Sequence, residues 1–151
     1  MHANEYAFAA LTQDGRIHAW GDSSDGGSGA PADAGYIAVY STALAFAALT
    51  QDGRIHAWGG TSYGGSGAPA DAGYIAVYST WRAFAALTQD GRIHAWGDSS
   101  YGGSGAPADA GYIAVYSTWG AFAALTQDGR IHAWGRSSDG YTYGGSGAPA
   151  D

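Results

Sequence analysis

The sequence predicts an all-β fold built from tandem repeats, and three observations support this. The segment AFAALTQDGRIHAWG occurs four times with a period of 38 residues, beginning at Ala7, Ala45, Ala83 and Ala121. Within each copy, short segments rich in Tyr, Ile, Val and Ala are bounded by Gly, Ser and Pro, as strands usually are. No stretch shows the 3.6-residue periodicity of an amphipathic helix. We therefore expect about three to four antiparallel strands per unit.

The amino-acid composition indicates a folded chain and excludes some classes of binding partner. Of 151 residues, 46% are apolar and 14% aromatic, enough to fill a core. Thirteen acidic residues against six arginines give a net charge of -7, which disfavours nucleic acid and anionic membranes as partners. No apolar run approaches the roughly 20 residues that span a bilayer, and MHANEY carries no visible signal peptide, so no compartment is assigned. The absence of Cys excludes disulfides and thiolate chemistry.

The third copy illustrates the expected order of strands. The segment GYIAVYST at 73–80 alternates and is rich in β-formers, which predicts a strand. A second strand is expected from Ala83 to Thr88 and a third from Arg92 to Trp96. The following Gly- and Ser-rich segment, 98–111, predicts a loop with at most one short outer strand.

The turn at Gln89-Asp90-Gly91 admits two geometries, and strand register distinguishes them. A two-residue Asp-Gly loop would mix aliphatic and charged side chains on one face of the sheet. A three-residue loop with a bulge at Gly91 places Phe84 opposite Trp96 and Ala86 opposite His94, leaving the aliphatic residues on the other face. The sequence therefore favours the bulged turn.

A three-stranded unit of this kind has two apolar faces and cannot bury both alone. Neighbouring units must supply the cover, which predicts propeller-like stacking. We expect one repeat domain over 1–151, with units starting near residues 7, 45, 83 and 121. The last unit is followed by no GYIAVYST segment.

The order Leu-Thr, Asp-Gly, Trp-Gly within AFAALTQDGRIHAWG resembles the repeat of the chromosome-condensation-regulator β-propeller family. The resemblance implies a propeller, usually of seven blades in that family, whose members act as nucleotide-exchange factors, photoreceptors or inhibitors through exposed loops. The repeats here are shorter, and YGGSGAPAD replaces a segment that usually contains Leu. The resemblance therefore implies only packing roles for Trp20, Trp58, Trp96 and Trp134.

The near identity of the copies indicates either recent natural amplification or deliberate, consensus-type design, because cores tolerate many apolar substitutions. GYIAVYST occurs three times against four hairpins, so one sheet lacks a full strand. Either the N-terminal residues replace this strand, or the exposed edge recruits another chain. We expect self-association, with a homodimer closing a ring of eight units favoured over a four-bladed monomer.

Two repeated sets of polar residues are candidates for chemical sites. One histidine per unit could form a ring that holds a metal ion or an anion, but packing beside the neighbouring Trp is the favoured interpretation. The aspartates of the Asp-Gly turns fit local hydrogen bonding. We expect no catalytic residues, enzymatic activity or cofactor, because every candidate occurs in several copies. The two sets are His18, His56, His94 and His132, and Asp14, Asp52, Asp90 and Asp128.

The copies differ at two places, and both are expected at the end of the strands opposite the invariant Gln-Asp-Gly turns. One follows GYIAVYST and the other follows Trp-Gly. Variable loops rich in aromatic residues on a rigid scaffold are typical of binding surfaces, here for a sugar or a protein, although drift tolerated by loops explains them equally well. The candidates are Trp81, Arg82, Trp119, Arg136, Tyr63, Tyr101, Tyr141 and Tyr143.

Overall fold

The computed structural model of the chain describes residues 1–137 and 144–149. Twelve strands in these residues form four antiparallel sheets of three strands, so the predicted all-β repeat fold is confirmed. None of the described helical segments is long and apolar enough to cross a membrane. Short 3-10 turns at Ser23–Asp25, Thr61–Tyr63 and Ser99–Tyr101 follow the third strand of the first three sheets.

The strands follow one another in each sheet in chain order, with the second strand in the middle. The first sheet contains β1 (His2–Ala3), β2 (Ala7–Leu11) and β3 (Ile17–Gly21), and the second contains β4 (Tyr36–Ser41), β5 (Ala45–Thr50) and β6 (Ile55–Gly59). The third contains β7 (Tyr74–Ser79), β8 (Ala83–Thr88) and β9 (Ile93–Gly97), and the fourth contains β10 (Tyr112–Ser117), β11 (Ala121–Thr126) and β12 (Ile131–Gly135).

The hairpin between β8 and β9 has the predicted bulged turn. Phe84 pairs with Trp96 and Ala86 with His94. The amide of Gly91, whose φ is 85°, donates to the carbonyl of Thr88 at 3.0 Å, which closes the turn. The segment after β9 carries a 3-10 turn, and no described residue in it forms the short outer strand that the sequence allows.

The N-terminal residues take the place of the missing strand in the first sheet. β1 pairs His2 with Ala9 and Ala3 with Phe8, so two residues occupy positions that a six-residue strand fills in the other sheets. The expectation that the N-terminus could replace this strand is therefore confirmed for its last part. Ala10 and Leu11 of the middle strand have no described partner on that side.

Asn4 supplies the polar anchor that threonine supplies in the later units. Its Oδ1 accepts a hydrogen bond from the amide of Ala7 at 2.8 Å, and its Nδ2 donates to the carbonyl of Asp25 at 2.7 Å. The Thr80 hydroxyl makes the two equivalent contacts in the third unit, at 3.1 and 2.9 Å. The side-chain amide of Asn4 thus binds one backbone N–H and one backbone carbonyl before the middle strand, as the hydroxyl of Thr80 does in the third unit.

Three hydrophobic cores lie between successive sheets, and each combines an aliphatic face with an aromatic face. The aliphatic face belongs to one unit and the aromatic face to the next, because side chains alternate along each strand. Phe46, Phe84 and Phe122 are almost fully buried in these cores. The indole nitrogen of Trp96 also donates to the carbonyl of Gly64 in the preceding unit at 3.0 Å. Between the second and third units the core contains Ala45, Ala47, Leu49, Tyr74, Val77, Phe84, Ala86 and Trp96.

The first unit exposes the aromatic face that the later units bury. Phe8 and Trp20 are each 45% exposed, whereas the equivalent Phe46 and Trp58 are 0% and 4% exposed. The residues and their register are the same, since Phe8 pairs with Trp20 as Phe46 pairs with Trp58. The difference therefore arises from the lack of a packed unit on this side.

The fourth unit exposes the opposite, aliphatic face. Ile131 is 38% exposed and Leu125 is half-buried, whereas Leu49 and Leu87, the equivalents of Leu125 in filled interfaces, are each 2% exposed. Among the described residues, the four units thus form an open-ended stack in which three interfaces are filled and both end faces are partly exposed.

The turn of each unit also contacts the first strand of the next unit. The amide of Tyr112 donates to the carbonyl of Gly91 at 3.1 Å. A Cβ at Gly91 would lie 2.6 Å from the amide nitrogen of Gly111 and 2.6 Å from the carbonyl oxygen of Tyr112. Gly129, the equivalent residue in the last unit, has no described atom within 4 Å of such a Cβ.

This difference gives a matched test of stacking. Both glycines have a positive φ, 85° and 89°, so an Ala at either site carries a left-handed backbone penalty of about 1–2 kcal/mol. Gly91→Ala must additionally displace the backbone of the next unit, which we expect to destabilise the protein by about 1–3 kcal/mol more than Gly129→Ala. Urea unfolding followed by tryptophan fluorescence measures both, and equal losses would contradict this packing.

Candidate functional site

The two variable segments meet at one end of each sheet. In the third unit, Ala83 at the start of β8 pairs with Gly97 at the end of β9, and the amide of Asp98 donates to the carbonyl of Arg82 at 3.0 Å. The Gln89-Asp90-Gly91 turn lies at the opposite end of the same hairpin. The structure therefore places the variable residues together on one rim, as the tracing of the strands predicts.

Backbone hydrogen bonds link this rim from unit to unit. Glu5 donates to Ala43, Ala43 to Trp81 and Trp81 to Trp119, each from amide to carbonyl at 2.9 Å. Segments joined in this way run at strand-like separations of roughly 4.8 Å. This spacing explains why the indoles of Trp81 and Trp119 stack, with centroids 4.8 Å apart and planes inclined by 24°.

Two tyrosines from the 3-10 turns flank the stacked indoles. Tyr63 meets Trp81 edge to face with centroids 5.9 Å apart, and Tyr101 meets Trp119 in the same manner at 5.4 Å. Tyr101 is buried, whereas Trp119 is 46% exposed. The cluster therefore presents an aromatic surface to solvent at Trp119, and the edge-to-face tyrosines pack against the two indoles on the buried side.

Arginine side chains cover the tyrosine rings. The Arg82 guanidinium carbon lies 4.3 Å from the ring centroid of Tyr63 and 5.2 Å from that of Tyr101. Its Nε is 3.4 Å from a carboxylate oxygen of Asp98, an ion-pair distance without the alignment of a hydrogen bond. Arg136 lies 5.0 Å from the Tyr101 centroid. These cation–π contacts hold the guanidinium groups over the rings.

We call this set the aromatic rim: Tyr63, Trp81, Arg82, Tyr101, Trp119 and Arg136. Six of the eight residues that the sequence singled out therefore lie in one cluster, and the other two, Tyr141 and Tyr143, lie outside the described residues. Asp98, which pairs with Arg82, was not singled out, although it lies in the same variable segment. The rim combines aromatic stacking surfaces with guanidinium groups.

The repeated histidines lie apart, one on each sheet. His56, His94 and His132 are exposed, and each ring centroid lies 6.0–6.2 Å from that of the Trp two residues later. Within residues 1–137 and 144–149, no three or more His, Asp or Glu side chains are grouped closely enough to hold a metal ion. The structure thus places these histidines, together with His18, on separate strands rather than around a common point.

The aspartates of the invariant turns bind within their own turn. Asp90 accepts hydrogen bonds from the Thr88 hydroxyl and from the Arg92 Nε, the latter at 3.2 Å. The threonine hydrogen bond, followed by the arginine contacts, lowers the pKa of this carboxyl. The same contacts recur at Asp14, Asp52 and Asp128. These carboxylates therefore act as turn anchors, as the Asp-Gly pattern predicts.

A polar groove between units lies near these turns. In the third unit it is lined by Asp71, Tyr74, Arg92 and His94, and an equivalent groove recurs in the second unit. The Tyr74 hydroxyl donates to Asp71 at 3.1 Å. Burial, reinforced by the Asp71 carboxylate, raises the pKa of Tyr74 to about 12. The groove recurs in two units with equivalent residues, so it is a feature of the repeat rather than a single distinct site.

Comparison with known proteins agrees with this architecture. Residues 74–102 match the family model described as "Regulator of chromosome condensation (RCC1) repeat". The chain is an all-β repeat protein, and its repeats resemble that family's repeats in shortened form. A comparison with curated protein sequences finds no significant match.

Solved structures share the fold at low sequence identity. The ectodomain of the receptor kinase CR4 from Physcomitrella patens has a TM-score of 0.68 at 19% identity over 93% of this chain. Human WBSCR16 has a TM-score of 0.62 at 15% identity over 94% of this chain. This chain spans only 41% and 49% of those proteins. The computationally designed Ika4 protein has a TM-score of 0.51 at 15% identity, over 89% of this chain and 88% of its own.

The buried tyrosines predict a loss of stability at alkaline pH. The pKa values of Tyr36 and Tyr74 are raised from 10.0 to about 12, so the folded protein keeps these phenols neutral. The unfolded chain ionises first, and the contribution to stability, complete below pH 10, falls as the pH rises towards 12. The variant Tyr36→Phe/Tyr74→Phe should show a shallower decline in unfolding free energy over this range, measured by urea titration. An unchanged slope would contradict the assignment.

Proposed function

We propose that this chain is a non-enzymatic, symmetric repeat scaffold, of engineered or recently amplified origin, that assembles with further copies of itself. Its end units offer β-surfaces that its internal units bury. A homodimer in which two sets of four units complete a ring of eight is the assembly we favour.

The observation that carries this proposal is the unequal burial of equivalent residues. Phe8 and Trp20 are each 45% exposed at one end, while their counterparts Phe46 and Trp58 are almost completely buried. Burial of apolar surface contributes roughly 25 cal/mol of favourable free energy for each Å² removed from water, and large aromatic side chains provide much of that surface. An exposed face that already has the shape of an internal interface is therefore a strong candidate for association.

The first sheet also leaves part of a strand edge open. β1 covers only Phe8 and Ala9, whereas the middle strand of the second sheet is paired along its length with β4. Unpaired backbone groups in a strand without charged residues favour pairing with another chain. Both the edge and the face of the first unit thus support self-association.

The absence of a catalytic role rests on the repeated geometry. The candidate carboxylates are held in identical turns, and the histidines lie on separate strands beside tryptophans. Catalysis normally requires one asymmetric, preorganised site, and copied groups in equivalent surroundings do not provide it. The near identity of the copies, together with a fold shared with a computationally designed protein, supports the proposed origin.

Mass measurement in solution tests the proposal. Native mass spectrometry and light scattering should give about twice the chain mass of 15.3 kDa at micromolar concentration. Because the association removes apolar surface from water, the species should persist at high salt. A single-chain mass at every concentration would contradict self-association and favour the isolated four-unit protein.

A second candidate function is a binding module that uses the aromatic rim. The specific observation is the stacked pair Trp81–Trp119, which is half-exposed at Trp119 and flanked by Arg82 over Tyr63. Sugar rings stack on such surfaces, and tyrosine, tryptophan and arginine are enriched at protein recognition sites. The ligand class proposed is therefore a carbohydrate or an exposed protein loop.

Tryptophan fluorescence of the parent protein and of two matched variants tests whether ligands bind at the rim. Titration with a panel of oligosaccharides and peptides should change the emission of the parent protein and of Ile113→Ala, but not of Trp119→Ala. Ile113 is the appropriate control because it is an exposed apolar residue, 56% against 46% for Trp119, that lies outside both the rim and the end faces. A response that survives in Trp119→Ala, or no response to any ligand, would count against binding at the rim.

A further inference from the structure

We infer that two copies of this chain dock head to tail, with the aromatic end face of one seated against the aliphatic end face of the other. The aromatic end face is defined by Phe8 and Trp20 of the first unit. The aliphatic end face is defined by Ala123, Leu125 and Ile131 of the fourth unit. This inference rests on the self-association proposed above and specifies the surfaces and the direction of that contact.

The two end faces are the unmatched halves of an interface that the chain forms three times. Each internal core joins an aliphatic face to the aromatic face of the following unit. The first unit contributes only its aliphatic face to these cores, and the fourth contributes only its aromatic face. The faces that remain are therefore one of each kind, and the repeated sequence makes them copies of surfaces that already fit.

A repeated hydrogen bond gives this interface a polar anchor. The indole nitrogens of Trp58, Trp96 and Trp134 each donate at 3.0 Å to a glycine carbonyl of the preceding unit. Trp20 is the equivalent indole on the aromatic end face. Gly144 occupies the equivalent glycine position in the fourth unit. Head-to-tail docking places Trp20 of one copy where it can donate to the Gly144 carbonyl of the other.

Gly144 also has the backbone conformation and the free space that allow a phenyl ring to pack against it. Its φ of 92° is close to the 99° of Gly102. A Cβ at Gly102 would lie 2.6 Å from the Phe122 ring, whereas a Cβ at Gly144 has no described atom within 4 Å. The position that Phe122 takes beside Gly102 corresponds to the position that Phe8 of a second copy would take beside Gly144.

Docking of like on like does not reproduce these contacts. Two aromatic end faces together would bring Trp20 against Trp20, with no glycine carbonyl to accept from either indole. The internal interfaces are directional, so their continuation between chains is heterologous. Such a contact closes into a ring or extends as an open filament, according to the rotation between units.

Cysteine crosslinking tests the direction of docking, since the chain contains no cysteine of its own. Glu5 and Trp119 are the first and last described positions of the rim ladder, in which successive members are joined by 2.9 Å backbone hydrogen bonds. Strand-like spacing places such pairs within the range in which disulfides form. A mixture of Glu5→Cys and Trp119→Cys chains should give a reducible dimer, while each variant alone should not.

The double variant Ala43→Cys/Trp81→Cys calibrates the geometry, because these two positions are adjacent on the ladder within one chain. It should form an intrachain disulfide without increasing the chain's mass on a denaturing gel.

The variant Glu5→Cys/Trp119→Cys then distinguishes the two head-to-tail assemblies. A crosslinked dimer alone indicates a closed ring, and a ladder of higher oligomers indicates an open filament.

A second comparison does not depend on disulfide formation. Phe8→Ser should weaken association at least about tenfold, measured by sedimentation equilibrium. Ile75→Ser should leave it unchanged, because Ile75 is 55% exposed but lies on an internal sheet rather than at an end. Circular dichroism of both variants checks that the sheets persist.

The outcomes separate this inference from the proposal on which it depends. Association in which either single-cysteine variant crosslinks to itself, or in which Phe8→Ser has no effect, would overturn head-to-tail docking and leave self-association standing. A parent protein that stays monomeric would overturn both.

Discussion

The structure depends on the mutual burial of sheet faces. A three-stranded sheet made from AFAALT and IHAW segments has an aliphatic face and an aromatic face, and a single unit cannot bury either of them by itself. Packing each aliphatic face on the next aromatic face buries Phe46, Phe84 and Phe122 almost completely. The stability of any unit is therefore mostly a property of its neighbours, as in other repeat proteins.

The same stacking creates the aromatic rim. Units that pack face to face bring their entry loops to strand-like separation, so the backbones of Ala43, Trp81 and Trp119 join by hydrogen bonds. Trp81 and Trp119 stack at this separation, whereas the equivalent positions in the first two units are Glu5 and Ala43, so the ladder carries an aromatic surface only in the later units. The near-identical units thus differ at the rim, in loops outside the regular strands.

The candidate sites illustrate which inferences a sequence supports. Local chemistry was predictable: the Asp-Gly turn binds its own Thr and Arg, and the bulge at Gly91 follows from the register of Phe84 with Trp96. Contacts between units were not, because a 38-residue period does not say which atoms of adjacent copies meet. The position of the Arg82 guanidinium over the Tyr63 ring of the preceding unit and the hydrogen bonds from the tryptophan indoles to glycine carbonyls belong to this second group.

The sequence alone determined the all-β repeat architecture, the strand order and the hairpin register, because the alternation of side chains and turn chemistry act over a few residues. It also located the variable rim. Only the tertiary structure decided that two N-terminal residues replace the last part of the missing strand, and that identical residues are buried in one unit and exposed in another. Burial depends on what lies across an interface, and identical repeats carry no information about which of them stands at the end.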